Sequence, residues 1–353
     1  MYTRKKYKIW DMIKWTSREI RFFLIIAFVV TILYQVLGFG WMKIPWTPIA
    51  LLGTAVAFLI GFQSNAAYGR IWEARQIWGG IVNDSRMLAI MVKDMITNEY
   101  ADVKVSDDEL KEHQRSIIYR HIAWLTALRY AMRQPRQWEI THNTKRPNEW
   151  KDRLFVPEFE NKLEDELSVL LSEEEKTYTL SKTNKAATLL SLQSKSIRAL
   201  KERGLIWEFS FLEIEGKLNE LMTHQGKSER IKNFPYPRQF ATLGYDCVNL
   251  FILLLPFGVI PEFSDIGLEL SEQYPWTKDY FVWLGIPFSA LVSWIFNTMQ
   301  RIGSVGENPF EGAPNDVPIS TMSRGIEIDL REMLDEPKDK IPDPMEVIYD
   351  VQM

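Results

Sequence analysis

Three side chains in one uncharged stretch are placed to act physically on an ion. Thr54, Phe58 and Phe62 recur at every fourth residue between Ile44 and Gly69, and at about 100° per residue they rise along one face of a helix. Several copies of such a column around an axis would form stacked constrictions. A narrow apolar tube expels water, and an ion cannot cross without its hydration. The competing reading is that Phe58 and Phe62 are ordinary packing or lipid-facing aromatics. Gly53, Ala57 and Gly61 lie one position earlier on each turn, a small-residue stripe of the kind that lets helix backbones approach closely in lipid. Gln63, Ser64 and Asn65 follow and no longer suit hydrocarbon, which predicts a polar pore mouth on the inner side.

Covalent chemistry has no comparable foothold. His113, His121, His142 and His224 are scattered without carboxylate or cysteine at ligand spacing, which excludes an evident metal site. Cys247 is the single cysteine and reads as a small packed hydrophobe. No phosphate-binding glycine loop, nucleophile elbow or zinc-protease signature occurs, so an enzyme reading has no nucleophile, base or cofactor to stand on. A formal net charge of -4 argues against general nucleic-acid binding. Asp246 is the one acid inside an apolar run. An ionisable residue at that depth is either paired near the interface or part of a permeation or coupling path.

The elements that must position these residues are apolar runs from Phe22 to Met42, Ile44 to Gly69, Gln239 to Pro261 and Tyr280 to Gln300. Each reaches the roughly 20 residues of a membrane-spanning helix. Seven basic residues precede the first run, and Arg70, Arg75 and Arg86 follow the second. The loop between the last two holds Glu262, Asp265, Glu269, Glu272 and Asp279 against Lys278 alone. Basic flanks stay on the cytoplasmic side, so both termini and the long middle segment are expected inside, in the inner (plasma) membrane. The outer acids either concentrate cations by their field or simply reflect a loop poor in lysine and arginine.

The middle segment is polar with helical periodicity. Ile122, Leu125, Leu128 and Met132 form one stripe, with Arg129 and Arg133 off it; Leu212, Ile214, Leu218 and Leu221 form a second. The second span runs without proline into Arg70, Trp72, Glu73, Arg75 and Trp78, predicting one long helix with a possible Arg70–Glu73 pair. Pro256 and Pro287 fall within spans three and four, where kinks are tolerated. HNTKRPNEW reads as a loop, Ser320 or Ser323 as a helix N-cap, and the final PKDKIPDPMEVIYDVQM as a loosely ordered tail. The resulting division is 1–21 N-terminal segment, 22–80 spans one and two with the second continuing into the cytosol, 81–238 helical cytoplasmic domain, 239–301 spans three and four, and 302–353 C-terminal segment and tail.

Gly61-Phe62, Arg70-x-Trp72-Glu73 with Trp78, Phe234-Pro235-Tyr236-Pro237-Arg238 before the third span, and Glu307-Asn308-Pro309-Phe310 after the fourth together resemble the bestrophin family, most of all its prokaryotic members. The resemblance covers about residues 15 to 335. It implies an all-α membrane protein with four transmembrane helices per subunit and a helical cytoplasmic domain, assembled as a homopentamer around a central pore. It also implies a passive channel for chloride and other small anions, with its neck at Thr54, Phe58 and Phe62. A Leu218-Asn219-Glu220 stretch implies a second, cytoplasmic constriction at Leu212 or Ile214. The acids after Phe310 are diluted, so no calcium site like that of animal members is expected; Asn315-Asp316 reads as turn chemistry. Cation selectivity on the same architecture stays open. So do a secondary transporter using Asp246 and a membrane-anchored scaffold. The partners implied are further copies of the chain, the lipid bilayer and small inorganic ions.

Overall fold

The computed structural model describes residues 1–139 and 154–353; His142 and the loop read over HNTKRPNEW lie outside them. In chain order the principal helices are α1 (Ile9–Trp15), α2 (Ser17–Thr31), α3 (Trp46–Met95), α4 (Asp107–Arg133), α5 (Lys185–Glu202), α6 (Glu208–Asn233), α7 (Arg238–Leu270), α8 (Gly285–Val305) and α9 (Ile319–Met333), with short helical segments between them. Among the described residues, β pairing is limited to isolated bridges. The fold is all-α, and four segments are long and apolar enough to cross a membrane: Ser17–Val36, Gly40–Met95, Arg238–Leu270 and Thr277–Val305. The chain divides into two compact units, one of residues 4–69 and 236–307, the other of 1–3, 70–235 and 308–353. Helix α3 runs unbroken for 50 residues through that division, as the absence of proline and turn residues predicted.

In the first unit, Phe23, Ile49, Val56, Ile60, Val248, Phe251, Leu255, Val259 and Ala290 form the core. Close approach is built from glycine. A Cβ on Gly53 would sit 2.9 Å from the Phe251 ring, and one on Gly258 would sit 2.4 Å from Ile49 Cδ1. Where lipid removes any hydrophobic drive, such fit is what holds helices together.

The prolines depart from expectation. Helix α7 does not stop at Pro261 but continues to Leu270, carrying Glu262, Asp265 and Glu269 on its last turns. Pro261 has no N–H to give to the carbonyl four residues back. That carbonyl, of Phe257, instead accepts from Ile44 N–H at 3.2 Å. Pro287 falls in the first turn of α8, which begins at Gly285 after a 3-10 stretch over Phe281–Leu284, and proline in a first turn costs no hydrogen bond.

The second unit buries Trp78, Ile81, Leu88, Trp124, Leu128, Leu189, Ile197, Ile214, Leu221, Phe310 and Ile326. Ser106 caps α4 by accepting from Glu109 N–H at 3.2 Å. The stripe Ile122, Leu125, Leu128 and Met132 is buried, but Arg129 and Arg133 are buried too. Arg129 pairs with Glu158 and Glu166, because α5, α9 and the short helices over 157–168 pack against α4 and bury its C-terminal half.

Three local readings are corrected. Arg70 donates to the Ile231 carbonyl at 2.8 Å while Glu73 accepts from Arg230, so the i,i+3 pair gives way to contacts with α6. Helix α9 starts at Ile319 after Pro318, and Ser320 binds the Glu158 carboxylate rather than capping. The tail is anchored: Tyr2 pairs with Val351, Thr3 N–H donates to Asp350 O at 2.8 Å, and Val351 and Met353 are buried.

Gly53→Leu is expected to lower unfolding stability by about 1–3 kcal/mol through overpacking against Phe251, read as a reduced thermal midpoint in detergent. Gly61 has nothing within 4 Å of its Cβ position in the subunit, and Gly61→Ala should not lower that midpoint, since alanine is favoured over glycine in a helix interior by about 0.5–1 kcal/mol.

Candidate functional site: the uncovered face of the second span

Helix α3 buries Ile49, Val56 and Ile60 in the bundle and leaves the opposite face bare. Phe58 and Phe62 are 65% and 69% exposed, and Thr54 is exposed above them. Leu51 and Asn65 fall within the same sector of the helix, and both are exposed. The Thr54 hydroxyl donates to its own helix, at 2.9 Å from the Ala50 carbonyl. Its hydrogen is therefore unavailable to solvent, and the column is less polar at that level than the residue type suggests. Of the small-residue stripe, Gly53 alone packs inside the subunit; Ala57 and Gly61 are exposed.

The predicted mouth separates into three different environments. Gln63, one step of about 100° round from Phe62, turns inward and is buried. Its Nε2 donates to Glu307 Oε1 at 2.8 Å. Ser64 is half-buried where α8 passes, its Oγ 3.2 Å from the Cβ position of Gly303. Asn65 alone shares the exposed face with the phenyl rings. A pore-mouth role for Gln63 is thus at odds with its burial, and its geometry makes it a tie between α3 and the end of α8.

Glu307 also explains two of the sequence motifs. It is buried, and its other oxygen lies 3.7 Å from Arg238, so the Arg after Phe-Pro-Tyr-Pro and the Glu before Asn-Pro-Phe are electrostatic partners. Sequence reasoning missed this role, although Gln63 beside an otherwise apolar column was the signal. Phe310 is buried 6.4 Å from the Trp78 ring. Asn308 Nδ2 donates to Glu311 at 2.5 Å.

The turn after Phe310 is closed by a carboxylate. Asp316 Oδ2 accepts from Gly312 N–H at 2.8 Å and Ala313 N–H at 3.0 Å, with Gly312 at a φ of 87°. Burial pushes the Asp316 carboxyl up to about 7, against the opposing pull of Arg133, whose Nη1 is 3.8 Å away.

The remaining candidates are dispersed. Leu212 is 56% exposed on α6, whereas Ile214 is in the core, so only Leu212 is available to a constriction. Asp246 is exposed on α7, outside the buried line of Val248, Phe251 and Leu255. His121 is buried on Ser85 and stacked on Trp124, and burial lowers it to about 3. His224 faces Asp84 at 3.0 Å and His113 lies 3.5 Å from Glu109.

Four apolar segments long enough to cross a membrane, with large apolar rings left bare on the second, define a membrane protein. Residues 11–332 match the description of the Bacterial/Fungal Bestrophin proteins, and the chain belongs to that family. A relative named voltage-dependent anion channel-forming protein YneE, from Salmonella typhi, is 25% identical over 332 residues, covering 93% of this chain and 90% of its own. A similarly named protein of Ralstonia nicotianae is 25% identical over 321 residues, covering 89% and 87%. The crystal structure of a bacterial bestrophin homologue from Klebsiella pneumoniae shares the fold, with a TM-score of 0.71 at 22% identity over 90% of this chain and 98% of that one. This family places the chain among membrane channel proteins rather than enzymes.

The raised Asp316 carboxyl sets the sign of a pH effect. Between about 4 and 7 the folded protein holds a proton there that the unfolded chain releases, so this group's stabilisation is full at the acid end and is lost as pH rises through 7. Asp316→Asn is expected to flatten that decline, which for the wild-type protein amounts to about 1.4 kcal/mol per pH unit from this group. Thermal midpoints of the two proteins, compared from acid to neutral pH, measure the difference.

Proposed function

We propose that the chain is the subunit of a passive, homopentameric channel for chloride and other small anions. In this reading Thr54, Phe58 and Phe62 of each copy line a hydrophobic neck. The observation that carries it is the outward exposure of Phe58 and Phe62 on the helix whose other face packs the bundle. Large apolar rings left bare on the second span need cover from lipid or from other copies. The small residues Ala57 and Gly61 beside them allow neighbouring helices close enough to make the latter possible. The charge of the permeating ion follows the named activity of the relatives, two of which are anion channel-forming proteins.

A phenyl edge is the positive end of the ring quadrupole. Rings meeting the axis edge-on would favour an anion over a cation, while dewetting between them limits flux. The acidic stretch over 262–279 works against an anion, but Asp265 is offset by Lys43 at 2.5 Å. In the same reading Leu212 is the residue for a second constriction, both termini lie on the cytoplasmic side of the inner membrane, which the basic flanks support, and 81–238 is the cytoplasmic domain.

Replacing Phe58 and Phe62 together by alanine is expected to raise ion flux through the reconstituted protein by roughly ten-fold or more, as a dewetted constriction opens. Reversal potentials in asymmetric potassium chloride should move toward the chloride equilibrium for the wild-type channel. Unchanged conductance in the double variant would remove the neck from these residues, and a potassium-directed reversal would reverse the selectivity.

A further inference from the structure

The segment leading into the first span carries six basic side chains with no carboxylate partner among the described residues. Between residues 4 and 21 stand seven basic side chains against Asp11 and Glu19. Glu19 is already taken by Arg301 at 3.2 Å. Lys5, Lys6, Lys8, Lys14, Arg18 and Arg21 are all exposed, and among the described residues none has a carboxylate within ion-pairing distance.

The same segment is held at one level of the bundle. Helix α1 ends at Thr16, whose φ of -110° and ψ of 13° break the helix before α2 begins. Thr16 is buried, and its Oγ accepts from Trp294 Nε1 at 2.8 Å. Trp15 lies under the Arg301 guanidinium, 4.1 Å from ring centroid to Cζ. Arg301 lies in the last turns of α8, where the fourth span gives way to charge, and Trp294 lies two turns further in. Helix α1 is thereby tied at the end of two spans, at the depth of a membrane surface.

Its outward side is apolar as well as basic. Ile9 and Trp10 are exposed, Trp10 at 68%, between Lys8 and Lys14. The charge bias that orients a span accounts for lysines near its end, but it does not account for a bare tryptophan and isoleucine among them. An indole and an aliphatic side chain flanked by lysines match the boundary between acyl chains and anionic headgroups. A nucleic acid or an acidic protein would use the lysines and leave Trp10 and Ile9 in water.

We propose that residues 4–21 form a binding surface for anionic phospholipid, with Lys5, Lys6, Lys8, Lys14, Arg18 and Arg21 engaging headgroup phosphates while Ile9 and Trp10 enter the acyl boundary. This surface does not depend on what the channel conducts. Its charges attract anionic lipid within a Debye length of the bilayer, so the selection is sensitive to salt.

The test uses the full-length protein in detergent, offered an equimolar mixture of phosphatidylglycerol and phosphatidylcholine, re-isolated and analysed for retained lipid. Phosphatidylglycerol should be enriched roughly five-fold at about 50 mM salt and approach parity at about 500 mM. The variant K5Q/K6Q/K8Q/K14Q should lose at least half of that enrichment while keeping its helical circular dichroism. Trp10→Ala should reduce retention of phosphatidylglycerol without altering its salt dependence. Equal enrichment in the wild type and the quadruple variant would overturn the proposal. So would enrichment indifferent to salt in the wild type alone, or a thermal shift with inorganic phosphate equal to that with phosphatidylglycerol.

Discussion

Which face of α3 is covered is decided by the fit of Gly53 against the Phe251 ring. In lipid a phenylalanine gains nothing by facing protein rather than acyl chains, so hydrophobicity cannot choose the orientation of a span. Shape can. With hydrogen at Gly53 the Phe251 ring closes on the backbone, and Ile49 fills the space left by Gly258 on the same contact surface. That interlock sets Val56 and Ile60 inward and leaves Thr54, Phe58 and Phe62 outward, because those rows are separated by helical geometry alone. The exposure of the aromatic column is a consequence of packing two rows away.

The second unit is built on a different constraint. Its core holds ionic groups that few interiors accept: Arg129 between Glu158 and Glu166, Lys232 on Glu139, and Arg133 within 3.8 Å of both Glu158 and Asp316. Such pairs contribute little net stability, since desolvation offsets attraction, but removing one partner strands the other at a cost of about 3–5 kcal/mol. Glu158 joins α4 to α9 through Arg129 and Ser320. The set therefore fixes the angles at which helices meet more than it binds them.

Much of this was legible in the sequence, and the reasons are particular. The spans follow from runs almost free of charge, and the unbroken α3 from the absence of proline after its first turn, both of which depend only on local composition. The outward column was readable because its period is that of the helix. Gln63 was misplaced because sequence marks it as polar but not as a partner of Glu307, which lies 244 positions away. Separation in sequence, of 161 and 162 positions, likewise hid the diversion of Arg70 to Ile231 and the seat of Ser320 on Glu158. Ile214 and Leu212 were equivalent as apolar residues on one helix; only the tertiary cover of α6 separates them. The tail read as loose because proline and charge dominate it, and its order comes from pairing with residues 1–3 at the other end of the chain.

The arrangement around Pro261 bears on how the channel could move. A proline within a span usually leaves a carbonyl unbonded, and the slack turn beneath it is where bending concentrates. Here Ile44 donates its amide to that carbonyl, so the weak point of α7 is stitched to the connection between the first two spans. Flexing the third span would have to break that stitch inside a low-dielectric layer where no water can replace it. At the level of Pro261 the third span is thus braced against bending by the connection beside it.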